Sequence, residues 1–151
     1  QFPLHLISDQ PANRLHSQLD FSAHSLAAKV AGREPVWVHP EDARLRGIAN
    51  GDVVRLFNAR GACLAGAVMT EAIRPGVVKL STGAWFDPQD DAPQTLCKHG
   101  NANMLTRDAG TSRLAQGPVA QSCLVQMERF TGPLPELSAF DLPRFVGRTD
   151  A

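Results

Sequence analysis

Two stretches of the chain carry more amide, hydroxyl and guanidinium groups than a connecting loop needs. The first covers residues 8–18 (SDQPANRLHSQ) and the second covers residues 99–116 (HGNANMLTRDAGTSRLAQ). Side-chain amides offer donors and acceptors together, so they suit the mixed polar edge of a pterin or purine ring. Arginine and histidine suit phosphate oxygens, arginine through its planar fork of donors. If the two stretches converge, they predict a binding site for a large polar heterocycle that carries phosphates.

The same stretches have a second interpretation, in which solvated loops use their amides to cap their own turns. His16 suits a ligand contact, but it equally suits a structural role beside Leu15. Trp85 suits either the flat wall of a site or a position in the core. Residue types and spacing leave both interpretations open.

The residues do not predict a self-sufficient active site. The chain contains no Gly-x-Ser-x-Gly elbow, no His-Glu-x-x-His pair, no Cys-x-x-Cys pair and no glycine-rich phosphate loop. Cys97 and His99 flank Lys98, but two potential ligands without a second pair do not build a zinc site. We therefore predict no catalytic residue and no metal ligand in this chain.

Composition and charge favour one globular domain. The chain has 151 residues, of which 43% are hydrophobic and 20% are charged. Fifteen basic residues balance fifteen acidic ones, which argues against nucleic-acid binding, and no apolar run is long enough to cross a membrane. Because the first residue is not Met, we expect a piece of a longer polypeptide. Three cysteines leave at least one free thiol, which favours the cytoplasm over the periplasm.

Short strands separated by turns rich in glycine and proline must position the polar stretches. The strands are predicted at residues 2–8, 36–38, 53–57, 62–70, 77–80 and 122–128, with helices at 23–30 and 40–47. Six short strands with small helices predict a mainly β protein, a closed or nearly closed barrel. The barrel is expected to occupy residues 1–130, and the proline-rich residues 131–151 an extended C-terminal arm that packs on another surface.

Three segments of the chain resemble one family, in that family's order. They are LISDQPANRLHSQLD, then PVWVHPEDARLRGIANGDVVRLFNARGACLAGAVMTEAIRPGVVKLSTGAWFDP, then HGNANMLTRDAGTSRLAQ. They are similar to the C-terminal domain of the dimethyl sulfoxide reductase family of molybdoenzymes, most of all to its biotin sulfoxide and trimethylamine N-oxide reductase branch. The resemblance covers about residues 3–130 and implies a six-stranded double-psi β-barrel.

The resemblance also implies a cofactor, bis(molybdopterin guanine dinucleotide), which holds molybdenum. In the family, an R-x-H-S-Q segment and a G-N-x-N-x-L-T segment approach the two pterin halves. Carried onto this chain, the implied cofactor contacts are Ser8, Gln10, Arg14, Leu15, His16, Ser17, Gln18, Gly100, Asn101, Asn103 and Gln116. The sequence Ser8-Asp9-Gln10 departs from the His-Pro type of some relatives at this place.

In this branch a serine from another domain binds the metal, and the reaction cavity lies between domains. The resemblance therefore implies a cofactor-capping fragment of a molybdenum oxidoreductase, whose partners are the remaining domains and a small sulfoxide or N-oxide substrate. The domain alone is expected to be inactive and to lack the cofactor. The alternative is a stand-alone double-psi barrel that acts as a protein-interaction module. A self-processing decarboxylase would need a Gly-Ser dipeptide, which is absent.

Overall fold

Seven β-strands form one sheet in the computed structural model, which describes residues 1–142 and Gly147. The strands are β1 (Leu4–Ile7), β2 (Pro35–Val38), β3 (Val53–Phe57), β4 (Ala62–Met69), β5 (Val77–Leu80), β6 (Leu96–Cys97) and β7 (Cys123–Arg129). Helices α1 (Ala23–Ala28) and α2 (Pro40–Leu45) and a 3₁₀ turn (Ala102–Met104) complete the regular structure of the described residues.

Six of the strands close into a barrel. The order β2-β5-β1-β7-β3-β4 returns to its start because β4 also pairs with β2. The pairs β1–β5 and β2–β4 are parallel, whereas β1–β7, β3–β7, β3–β4 and β2–β5 are antiparallel. The predicted mainly β, six-stranded double-psi barrel is confirmed. The seventh strand, β6, was not predicted, because two residues are too short for a periodic pattern; it pairs with the first residues of β4.

The barrel interior is filled by side chains from alternate strand positions. Leu4 and Leu6 on β1, for example, are almost completely buried, whereas their neighbours are exposed. Strand β4 breaks this alternation, with six consecutive buried residues from Ala62 to Ala67. Its partners β2, β3 and β6 crowd it, which accounts for its small side chains. A Cβ at Gly66 would overlap Val30, so the chain passes too close there for any larger residue.

Both predicted helices are present, and local capping sets their limits. Pro40 starts α2 after His39, whose side chain accepts a hydrogen bond from the Glu41 N–H at 3.3 Å. Helix α1 ends at Ala28, earlier than predicted, because Val30 leaves the helix and exchanges backbone hydrogen bonds of 3.0 Å with Arg33. Neither helix is long or apolar enough to span a bilayer, and the same holds for every helix in residues 1–142.

The segment after β7 crosses the surface of the barrel without regular structure. Arg33 donates a hydrogen bond of 2.9 Å to the Pro135 carbonyl, and Lys98 donates one of 2.8 Å to the Ser138 hydroxyl. The predicted arm extends to residue 151, but residues 143–146 and 148–151 lie outside the described residues. Its described part packs on this domain itself.

Candidate functional site

An open cleft of about 560 Å³ lies where the two polar stretches meet. The loop after β1 supplies one wall, the loop after β5 supplies the second, and the segment around the 3₁₀ turn supplies the third. Its lining residues are His16, Ser17, Thr82, Gly83, Ala84, Trp85, Phe86, Asn101 and Asn103. The structure thus brings together the stretches that the sequence marked as polar.

Arg14 holds two walls of the cleft together from behind. Its guanidinium is fully buried and donates hydrogen bonds of 3.0 Å to the carbonyl of His16 and of 3.0 Å to that of Thr82. Five N–H donors on one rigid fork allow a single side chain to fix both backbone segments. The resemblance implies that Arg14 contacts the cofactor; in this structure its side chain positions two residues that line the cleft.

Arg14 belongs to a buried charge cluster, made of Arg14, Asp20, Lys29 and Glu34. Arg14 lies 3.4 Å from Asp20 and 3.1 Å from Glu34, and Lys29 lies 2.8 Å and 3.0 Å from the same two carboxylates. Burial acts to raise the pKa of Asp20, but hydrogen bonds from Lys29 and the Trp85 N–H, with the charges of Lys29 and Arg14, outweigh it and lower that pKa. The charges balance, and the cluster ties Trp85 to the barrel.

The second polar stretch is held by tight backbone geometry at Gly100. Its φ of +96° favours glycine, and a Cβ there would overlap the side chain of Glu34. Glu34 in turn donates its N–H to the His99 carbonyl at 3.1 Å. Asn101 then caps the 3₁₀ turn by accepting the Asn103 N–H at 2.9 Å. This arrangement presents the amides of Asn101 and Asn103 to the cleft.

His99 is a buried neutral histidine behind the cleft. Its Nδ1 lies 3.1 Å from the Trp85 carbonyl and therefore donates the proton there, while Asp20 lies 3.8 Å away. Its Nε2 has no hydrogen-bond partner within the described part of the chain. Burial, followed by the charge of Lys29, lowers the pKa of His99 below its usual 6.5. The ring is therefore neutral near pH 7.

The lowered pKa of His99 predicts a loss of stability in mild acid. The folded state binds a proton less readily than the unfolded chain, so unfolding is favoured as the pH falls below 6.5. Because unfolding takes up at most one proton at this histidine, the free energy of unfolding falls by at most about 1.4 kcal/mol for each pH unit. Urea unfolding at a series of pH values should show this decline for the native chain and not for His99→Asn. The matched control is His24→Asn, at an exposed position, which should show the same decline as the native chain. If the free energy of unfolding depended on pH equally in all three proteins, the prediction would be contradicted.

Of the residues predicted as cofactor contacts, His16, Ser17, Asn101 and Asn103 line the cleft. The others make contacts behind it or elsewhere. Gln10 donates to the Arg14 carbonyl at 3.3 Å and borders a separate cavity of about 340 Å³. The remaining predicted contacts, none of which lines the cleft, are Ser8, Arg14, Leu15, Gln18, Gly100 and Gln116.

Local hydrogen bonds explain several of these positions. The Ser8 N–H donates to the Gln121 side chain at 3.1 Å, at the end of β1. The Gln18 N–H donates to the Leu15 carbonyl at 2.8 Å and closes a turn. The Gln116 amide donates to the Ser112 carbonyl at 2.8 Å within its own loop. In this structure Gln116 is a loop residue and does not take part in the cleft.

The loop after β5 is the part of the site that residue-level reasoning missed. Thr82, Gly83, Ala84 and Phe86 line the cleft, although only Trp85 was considered as a wall. The available signal was the Ser-Thr-Gly-Ala-Trp-Phe sequence that directly follows strand β5. Such a loop at a strand end, with a glycine for close approach, is a frequent location for a site.

The cleft offers amide, hydroxyl and imidazole groups beside flat apolar surfaces. The Asn101 and Asn103 amides, the Ser17 hydroxyl and the His16 ring combine donors and acceptors, and Trp85 supplies an aromatic face. This donor set fits the edge of a polar heteroaromatic ring. No arginine or lysine is among the described lining residues, so the cleft suits the ring of such a ligand better than its phosphates. Within residues 1–142 and Gly147, no group of three or more potential metal ligands is found.

Large apolar side chains are exposed on the segments that line the cleft or contact its lining residues, and are here called the apolar rim. Leu15 is 67% exposed, Phe21 is 53% exposed and Phe86 is 50% exposed. The Phe21 ring lies 5.7 Å from the ring of Trp85, so this apolar rim continues into the cleft. Grouped apolar exposure is typical of ligand-binding grooves and of surfaces that contact other proteins or domains.

Comparisons with known proteins agree on one kind of domain. A family model described as "Molydopterin dinucleotide binding domain" matches residues 4–124. Trimethylamine-N-oxide reductase of Haemophilus influenzae is 49% identical over 97% of this chain and 18% of its own length. Dimethyl sulfoxide/trimethylamine N-oxide reductase of Rhodobacter capsulatus is 46% identical over 95% of this chain and 18% of its own length. The chain therefore spans less than a fifth of these relatives.

A solved structure has the same fold. Acetylene hydratase from Pelobacter acetylenicus superposes with a TM-score of 0.67 at 14% sequence identity, over 85% of this chain and 18% of that one. At this identity the likeness concerns the fold alone.

Proposed function

The chain belongs to the "Molydopterin dinucleotide binding domain" family, and we propose that it caps and orients bis(molybdopterin guanine dinucleotide) in a larger N-oxide or sulfoxide reductase. The family expected from the sequence is confirmed by the match over residues 4–124. The larger enzyme, its substrate and its other domains are the proposed part.

The observation that carries the proposal is the convergence of the two polar stretches on one cleft. His16 and Ser17 from the first stretch face Asn101 and Asn103 from the second across about 560 Å³. Amides, a hydroxyl and an imidazole supply the alternating donors and acceptors that a pterin edge requires. Solvated loops that only cap their own turns would have no reason to share a cavity.

The chain's own residues would bind and position the cofactor. Asn101 and Asn103 would hydrogen-bond one pterin edge, and Ser17 and His16 would hold the opposite side of the cleft. When bound, the cofactor supplies molybdenum for oxygen-atom transfer, while the protein contributes orientation and hydrogen bonding. Such contacts depend on rigid walls, which the charge cluster provides.

The apolar rim supports the presence of further domains over the cleft. Phe86 lines the cleft, Phe21 packs on the lining residue Trp85, and Leu15 directly precedes the lining residue His16, and all three are exposed. A covering domain would bury this surface and exclude water from the cofactor. The relatives named for trimethylamine N-oxide and dimethyl sulfoxide suggest a small N-oxide or sulfoxide as the substrate.

Replacing Asn103 by alanine in the complete protein should weaken cofactor retention. Loss of one partner leaves a pterin polar atom unpaired, at a cost of about 1–3 kcal/mol, or roughly 5- to 150-fold in the dissociation constant. Molybdenum and pterin content per polypeptide, measured after extensive dilution and desalting, should fall accordingly. Asn101→Ala should act in the same direction and also loosen the 3₁₀ turn that Asn101 caps.

The matched control is Gln94→Ala, an exposed amide in a loop outside the cleft. It should keep the native cofactor content. Native content in both asparagine variants, with the control unchanged, would count against the proposed function.

A further inference from the structure

The loop that forms one wall of the cleft is bound by the segment that follows β7. The Ser138 hydroxyl donates to Asp87 Oδ1 at 2.6 Å, and the Ser138 N–H donates to Oδ2 at 2.9 Å. Asp87 is 2% exposed and lies two residues after Trp85, which lines the cleft. A buried carboxylate that receives two hydrogen bonds from one residue is held in a fixed place.

The same serine reaches the wall formed by the second polar stretch. Lys98 donates to the Ser138 hydroxyl at 2.8 Å, and its ammonium lies 3.0 Å from Asp87. The Lys98 N–H also donates to the Asp87 carbonyl at 2.7 Å. Burial acts to raise the pKa of Asp87, but the Ser138 hydrogen bonds and Lys98 outweigh it and keep the pKa low, so this contact is charged at neutral pH.

An aromatic contact joins the two walls at a second point. The Phe140 ring lies 5.3 Å from the Trp85 ring and 5.0 Å from the His99 ring, edge to face in both cases. Trp85 is part of the cleft, and His99 comes two residues before Asn101. The Phe140 ring therefore contacts both the loop after β5 and the segment that leads into the 3₁₀ turn.

The segment is anchored on the barrel upstream of these contacts. Arg33 donates to the Pro135 carbonyl at 2.9 Å, and the Leu137 side chain lies against Gly32, where a Cβ would overlap it. The family match ends at residue 124, before this segment begins. The segment nevertheless reaches back to the cleft walls through Ser138 and Phe140.

We propose that residues 135–140, here called the clasp, are a positioning element of the cofactor cleft, which Ser138 and Phe140 join to Asp87, Trp85 and His99. This inference rests on the proposed function. The clasp contacts the loops that line the cleft, but residues 135–140 are not among the lining residues. It fixes the separation of the Trp85 wall and the Asn101 wall, and so the fit of a ring between them.

The test uses the complete protein with Ser138→Ala, Phe140→Ala and the rescue variants Ser138→Thr and Phe140→Tyr. Loss of a hydrogen bond to a charged group predicts about tenfold faster release of molybdenum and pterin from Ser138→Ala. Amide hydrogen exchange should quicken at residues 84–87 and 98–101 in both alanine variants. The rescue variants, which keep the hydroxyl or the ring, should return both measurements toward native values.

The control is Leu142→Ala, because Leu142 follows the clasp and is 89% exposed. It should leave cofactor release and exchange unchanged. Native release rates in the clasp variants, with fast release from Asn103→Ala, would overturn the clasp and leave the proposed function standing. Native rates of cofactor release in the clasp variants and in Asn103→Ala would instead contradict the proposed function. If an alanine variant does not fold, Phe140→Leu keeps apolar bulk without the ring and decides the question by the same two measurements.

Discussion

Replacing Arg14 by methionine should lower the free energy of unfolding by about 3–5 kcal/mol. The substitution leaves Asp20 and Glu34 buried with Lys29 as their remaining cation. It also removes the hydrogen bonds to the carbonyls of His16 and Thr82, both of which are part of the cleft walls. Because a small domain has about 5–15 kcal/mol of stability, the loss would be a large fraction of the total.

Urea unfolding, followed by fluorescence and circular dichroism, measures this effect. The matched control is Arg55→Met, because Arg55 forms a surface ion pair of 3.0 Å with Glu128 in which both side chains are well exposed. Such pairs contribute about 0–1 kcal/mol, so the control should change little. If Arg14→Met cost no more than Arg55→Met, the charge cluster could not be what holds the cleft walls.

The double variant Arg14→Met/Glu34→Gln separates two explanations for the loss. If most of the cost of Arg14→Met comes from an uncompensated buried carboxylate, removing the Glu34 charge should recover part of it. If it comes from the lost backbone hydrogen bonds of Arg14, the second substitution should add a further loss. We expect partial recovery, because Arg14 has both kinds of contact.

The barrel was predictable because its strands obey local rules. Leu4 and Leu6 alternate with exposed neighbours, and the turn before β3 uses Asn50 and Gly51, where Gly51 has a φ of +88°. Such patterns can be recognised within a single segment, without knowledge of the tertiary structure. Strand β6 was not predictable, because two residues are too few to show a periodic pattern. Its pairing also depends on β4, which lies more than thirty residues earlier in the chain.

The location of the cleft was predictable from the sequence, and its lining residues were predictable only in part. The density of polar residues in the two stretches predicted a binding site where they meet. The family resemblance restricted the expected ligand from any polar heterocycle with phosphates to a molybdopterin cofactor. A motif does not tell which side chains point inward, however. Arg14 and His16 are two residues apart, yet Arg14 is buried behind the wall, whereas His16 lines the cleft and has a left-handed φ of +47°. Histidine adopts this region more readily than most residues, but the residues around His16 do not single out this position for it.

The strained backbone at His16 has a tertiary cause. Its carbonyl accepts from Arg14, and its backbone passes directly against Gly83 in the loop after β5. Strain of this kind persists only when surrounding contacts over-determine it. The Arg14 hydrogen bond and the Gly83 contact provide that constraint, so they fix the backbone of His16 where it lines the cleft.

Gly83→Ala should therefore disrupt the cleft more than a glycine-to-alanine change that has similar backbone strain but no steric overlap. Gly83 has a φ of +93°, and a Cβ there would overlap the His16 carbonyl, so the two walls must separate. Strain of about 1–2 kcal/mol adds to an overpacking cost of about 1–3 kcal/mol, for a total loss of about 2–5 kcal/mol in unfolding free energy.

Gly76→Ala is the matched control for this prediction. Gly76 has a φ of +81°, but a Cβ added there would meet no atom within 4 Å, so the alanine carries the strain without the overlap. Its expected loss is about 1–2 kcal/mol, with native cofactor content in the complete protein. Gly83→Ala should lose cofactor as well as stability, because His16 and Ser17 move away from Asn101 and Asn103. Equal losses of stability in the two variants, or full cofactor content in Gly83→Ala, would mean that the close approach of these walls does not define the site.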